Sequence, residues 1–182
     1  MGDTKKLIHI RNVSGNVNIG DSPEYQVSSA INELLKVLAN KPFKFEIMMR
    51  RPSAETIIKI NHNNLRSKKH VIKQYLDYSS KIEEAYLEID SLVAFGKNTI
   101  LRNIYDLYYS ALDEVGIDYM SSIVDINLIR RNSDFIFDFI VQKLKNTVFE
   151  SKNTPVIKEH IELGVNVVVA HAFIECIILE NP

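Results

Sequence analysis

The chain has one cysteine, Cys176, in 182 residues. That excludes an internal disulfide and any zinc or iron–sulfur centre built on several cysteines. Glycine is scarce as well, with six residues scattered along the chain. They assemble neither a Walker A loop nor a Gly-x-Gly-x-x-Gly fingerprint, and no Gly-x-Ser-x-Gly elbow occurs. Long apolar runs are missing. The longest, Leu163 to Ile174, is interrupted by Asn166 and His171 and stops at Glu175, too short and too polar to span a bilayer. Lys5 and Lys6 lead into an alternating stretch and not into an apolar run, so no signal peptide is expected. The simplest expected location is the cytoplasm, with no membrane partner.

What remains is ordinary globular material, 46% hydrophobic and 25% charged. A chain of this length forms one domain, or one with a small appendage, and buries roughly 70% of its unfolded surface. The formal net charge of −1 hides a local split. Residues 1–75 hold 13 basic and 6 acidic residues, a net of +7, whereas residues 76–182 hold 9 and 17, a net of −8. Two faces of opposite sign, or pairing between the two halves, would follow from this.

Residues 5–20 show the period-2 alternation of a β-hairpin. Ile8 and Ile10 alternate with polar neighbours, Ser14-Gly15-Asn16 supplies a turn, and Val17 and Ile19 resume the pattern. From Pro23 the period becomes helical, with Val27, Ile31, Leu34, Leu35 and Leu38 on one stripe up to residue 40. A short strand is expected over 43–49, where Phe43, Phe45 and Ile47 alternate with Lys44 and Glu46. Ser53 can cap a short helix carrying Ile57, Ile58 and Ile60. Longer helices are expected over 67–91, 97–115 and 133–149, with Gly116 as a C-cap and a weaker helical segment over 118–130. The closing segment, 156–179, is apolar on nearly every side, and its length favours a buried central helix over a strand. The expected architecture is therefore mainly α: a helical bundle around a buried C-terminal helix, with an N-terminal β-hairpin. Residues 1–22 would form the hairpin appendage and residues 23–182 the α-helical interaction domain.

Chemistry-bearing constellations are few. The histidines His9, His62, His70, His160 and His171 show no zinc spacing. Cys176 lies in the most apolar segment, where a cysteine is expected to be inert core. Asp134 and Asp138 share a helical face at i, i+4 and read as solvated charge. No catalytic residue, metal or cofactor is expected, and the protein is read as a non-enzyme. The most notable polar feature is basic: Arg50, Arg51, Lys59, Arg66, Lys68, Lys69, His70 and Lys73. It suits an acidic protein surface, or alternatively the phosphates of a nucleic acid.

Three stretches carry a family resemblance. They are Arg51-Pro-Ser-Ala-Glu-Thr-Ile-Ile-Lys-Ile-Asn-His-Asn-Asn-Leu65, Ile72-Lys-Gln-Tyr-Leu-Asp-Tyr-Ser-Ser-Lys-Ile-Glu-Glu-Ala-Tyr86, and Ala170-His-Ala-Phe-Ile-Glu-Cys-Ile-Ile-Leu-Glu-Asn-Pro182. Together they resemble the C-terminal domain of effector proteins in bacterial ABC-three-component (Lamassu-like) conflict systems. The resemblance implies a non-catalytic module that ties an effector to an SMC-like ABC ATPase and a small middle component. In that family an effector domain precedes the module. Here the hairpin segment stands in its place, which predicts a separate polypeptide or an excised domain. Partner contacts are expected at Arg50, Arg51, Lys59, His62 and Asn63. Val17 and Ile19 on the hairpin edge are expected to pair with a second copy or an effector. A nucleic-acid-binding accessory protein using residues 50–73 is the alternative.

Overall fold

Val167, Val168 and Val169 are β-branched and favour strands as isolated residues. They form a helix here because a helix enclosed on all sides buries each of them, and burial outweighs a small loss of helix propensity. This helix is the axis around which four of the longer helices pack. A computed structural model describes residues 28–41, 53–121, 123–155 and 157–182. The described residues form α1 (Ala30–Asn40), α2 (Ala54–His62), α3 (Lys69–Leu92), α4 (Gly96–Glu114), α5 (Ile126–Arg131), α6 (Ser133–Glu150) and α7 (Lys158–Ile174).

α7 packs most extensively on α3, and then on α6 and α1, while α4 closes the far side against α6 and α3. Leu34, Leu35, Ile72, Ile82, Ile104, Ile136, Val168 and Phe173 meet in one continuous core. α1 comes close to α7 because Gly164 has no side chain. A Cβ there would lie 2.5 Å from Cδ2 of Leu35, which is itself fully buried. Gly164→Ala is therefore expected to lower stability by about 1–3 kcal/mol through overpacking. Urea titration checks this, and a change below about 0.5 kcal/mol, the range of neutral surface substitutions, would show that Leu35 moves aside freely.

The expected fold class needs one correction. The described residues contain seven helices and no strand, so the bundle carries no β element. Among the described residues no sheet edge exists on which a two-stranded ribbon could build, and a lone ribbon is marginal in water. The hairpin expected over 5–20, with Val17 and Ile19, lies outside the described residues, as does the strand expected over 43–49.

Candidate partner-binding site

α2 starts where Ser53 caps it. Its Oγ accepts the Thr56 N–H at 3.1 Å and lies 3.0 Å from Thr56 Oγ1. Thr56, Lys59, Ile60 and Asn63 then fall on the inner face at i, i+3, i+4 and i+7, leaving Ile57 and Ile58 exposed. Of the expected contact residues, Lys59, His62 and Asn63 come together on the last turn of this helix. Arg50, Arg51, Val17 and Ile19 lie outside the described residues.

Lys59 and Asn63 turn inward. Lys59 is 5% exposed; its Nζ donates to Cys176 Sγ at 2.9 Å and lies 4.9 Å from the centre of the Phe173 ring. Asn63 is fully buried. Its Nδ2 donates to the carbonyls of Lys59 (2.9 Å) and Glu180 (2.7 Å), and its Oδ1 accepts the Glu180 N–H at 2.8 Å. The side-chain amide thus pairs with both backbone groups of Glu180, as a strand residue would. These two side chains bind the chain's own C-terminal segment.

That segment departs from the expected continuous helix. α7 stops at Ile174, and Cys176 takes a left-handed conformation at φ +59°. The Ile177 N–H bonds to Ala172 O at 2.9 Å and the Cys176 N–H to Phe173 O at 3.3 Å, the two bonds of a Schellman stop. Cys176 is consequently exposed and not core. With Lys59, Ser53, Ile174 and Asn181 it borders a groove of about 530 Å³.

His62 is half-buried and faces a residue the sequence reading did not single out. Nη2 of Arg130 lies 3.0 Å from its Nδ1 and 2.7 Å from its Nε2. Arg130 reaches this point from α5, which Asp125 caps by accepting the Leu128 N–H at 3.0 Å and Ile129 anchors in the core. Arg130 and Arg131 sit in the last turn, where cations suit the helix dipole. The only sequence signal for them was an Arg-Arg pair in a weakly periodic segment. On the α2–α3 turn, Arg66 Nε donates to Asn64 Oδ1 at 2.7 Å. The Ser67 N–H donates to the Asp134 carboxylate at 3.2 Å, and Lys68 pairs with Asp138 at 2.7 Å. Asp134 and Asp138 therefore receive the α2–α3 turn, a more specific role than solvated charge. The basic stretch is also broken up: Lys59 faces inward and Lys68 is spent on Asp138.

A second polar cluster lies inside the bundle. His171 is fully buried, with Nδ1 3.2 Å from Tyr75 Oη and Nε2 3.4 Å from a Glu83 carboxylate oxygen. Glu83 also accepts from Lys97 at 2.9 Å, and the Tyr86 ring packs 5.2 Å from the imidazole. Burial pushes His171 below the usual histidine range, and the opposing pull of Glu83 and Glu175 is smaller. Burial also raises the Tyr75 phenol to about 12, helped by Glu175 and Glu83. The sign for stability follows. The folded state holds His171 neutral more firmly than the unfolded chain does, so its contribution is present above about pH 6.5 and is lost as pH falls below that. Glu83, Glu175 and Lys97 face the ring and are retained in the comparison. His171→Gln is expected to flatten the fall in urea midpoint between pH 7.5 and 5.5; an unchanged slope would remove His171 as its source.

Among the described residues, no group of three or more His, Cys, Asp or Glu side chains is placed to hold a metal ion. None of their helices is long and apolar enough to cross a membrane. Residues 29–180 match the family model described as C-terminal domain 10 of the ABC-three-component systems. No curated protein and no solved structure matches the chain. The match spans nearly the whole described bundle and bears out the resemblance carried by the three sequence stretches: the chain belongs to this family.

Proposed function

We propose that this C-terminal domain of an ABC-three-component system is a non-enzymatic attachment module. It couples an effector to an SMC-like ABC ATPase and its middle component within a bacterial, Lamassu-like anti-phage or anti-plasmid defence complex in the cytoplasm. The observation that carries this reading is how the two ends of the matched segment are held. Asn153 pairs with both backbone groups of Ser29, accepting its N–H at 2.8 Å and donating to its carbonyl at 3.0 Å. Asn63 does the same to Glu180. A module that passes a binding event to a neighbouring part needs its ends fixed to its core. These two amides supply that by fixing Ser29 and Glu180 to the bundle. The buried polar side chains Asn32, Lys59, Asn63 and His171 all bond within the chain, which suits a scaffold.

The test is co-expression of the tagged chain with the proteins encoded beside it, followed by affinity capture and mass spectrometry. Recovery of an ATPase of the SMC type with a small second protein, in fixed stoichiometry, is the expected result. Recovery of the chain alone, or with nucleic acid only, would overturn the reading.

A further inference from the structure

We infer that the face formed by the α2–α3 turn and α5 is a docking site for carboxylates on an acidic segment of a partner protein, with Arg130 as its anchor. The inference deepens the attachment reading and rests on it.

Arg130 is the starting point. A guanidinium offers five N–H donors and no acceptor, so each buried N–H needs an oxygen or nitrogen lone pair. Nη2 of Arg130 has only the ring nitrogens of His62, at 2.7 and 3.0 Å. Its Nε is buried and has no hydrogen-bond partner. Several cations elsewhere in the bundle have carboxylates: Lys68 has Asp138, Lys41 has Glu84 and Glu88, Lys97 has Glu83. Among the described residues no carboxylate forms an ion pair with Arg130, Arg131, Arg66 or Lys69. Arg130 is half-buried and pairs with no carboxylate of the described residues; its Nε is covered, so an oxyanion from outside would meet the terminal N–H groups of the guanidinium. A carboxylate can accept two N–H groups of a guanidinium at once.

The surroundings favour protein carboxylates over a nucleic acid. A polyphosphate strand is bound along a run of free cations. Here that run is interrupted, because Lys59 faces inward and Lys68 is neutralised. Asp134 and Asp138 also stand against the turn, where they would repel a continuous polyanion. A discrete guanidinium selects short, spaced carboxylates. Arg66, held by Asn64, and exposed Lys69 and Arg131 extend the face on the protein side.

The experiment measures fluorescence anisotropy of a labelled peptide of four Gly-Ser-Glu repeats, whose carboxylates are spaced, against the full chain at low salt, with octathymidylate as the competing probe. Saturable peptide binding is expected, weakened about tenfold by Arg130→Gln, the effect of losing one charge-assisted contact. Arg66→Gln, at an exposed side chain that carries no fold risk, should weaken it less, and thermal melts confirm that both variants are folded. No binding by the unaltered chain, equal binding by the folded Arg130→Gln variant, or tighter binding of the oligonucleotide would overturn the site. Failure of the two ideas is separable. A complex that forms on co-expression while peptide binding ignores Arg130 removes only this site; peptide binding that depends on Arg130 without any co-expressed complex removes only the attachment reading.

Discussion

Asn63→Asp is expected to destabilise the protein by about 3 kcal/mol or more, lowering the melting temperature by roughly 10 °C for a chain of this size. The change is isosteric, so nothing is lost in packing. What changes is chemistry. Asn63 donates to two carbonyls, those of Lys59 and Glu180, while accepting one N–H in a site with no solvent exposure. An ionised carboxylate cannot donate, and it would place its charge against both carbonyl oxygens in a dry site. The deficit relative to the unaltered protein should narrow as pH falls, because a protonated carboxyl regains one donor. Thermal and urea unfolding at pH 7.5 and pH 5 read both effects. A variant within about 0.5 kcal/mol of the original, the span of ordinary surface changes, would mean that the Glu180 segment is not held by this side chain.

The second large effect is at the other end of the domain. Asn153 Oδ1 accepts from Ser29 N–H and from Asn32 Nδ2, while its Nδ2 donates to Ser29 O and to the Glu33 carboxylate. That hydrogen bond is the main reason the Glu33 carboxyl titrates below its usual range, with burial opposing and Lys36 assisting. Asn153→Asp replaces the donor to Glu33 with a second negative charge and is expected to cost about 2 kcal/mol, since a hydrogen bond to a charged group is lost and two carboxylates meet. The two clamps share no partner. The Asn63→Asp, Asn153→Asp double variant should therefore show the sum of the single effects to within about 0.5 kcal/mol. A larger coupling would mean that the two ends respond as one unit.

Sequence legibility in this protein follows local chemistry. The helices α3, α4 and α6 could be read because their apolar residues keep a 3.6-residue period over several turns. Gly116 also marked a true stop: it sits at φ +72°, with the Ile117 N–H bonded to Leu112 O at 2.9 Å. Two other stops have the same backbone form without a glycine. Asn64, at φ +54°, ends α2, with the Leu65 N–H on Ile60 O at 3.0 Å, and Cys176 ends α7 in the same way. Cys176 gives no sequence signal for this conformation, whereas Asn64 closes the polar break Asn61-His62-Asn63-Asn64 and is of a residue type that tolerates it. The apolar Ile177, Ile178 and Leu179 beyond Cys176 then read as more helix, although Ile178 and Leu179 are buried as a tail folded back onto the bundle. Within α6, Phe137 is core while Phe135, two residues earlier, is 48% exposed.

At the candidate site, sequence proximity located His62 and placed Lys59 and Asn63 beside it. It could not show that the last two face inward, because their partners, Cys176 and Glu180, lie 117 residues away in each case. Nor could it bring Arg130 to His62 across 68 residues. The polar residues that could be read as surface contacts are partly structural, and the unpaired cation came from a six-residue helix with almost no periodic signal.

Amide hydrogen exchange of the full chain, alone and in the complex captured by co-expression, tests the attachment account most directly. The account predicts slowed exchange in the complex confined mainly to residues 62–70 and 126–132, the α2–α3 turn and α5, with α7 slow in both states. Protection arising elsewhere would remove the docking face, and protection arising nowhere would contradict the attachment account.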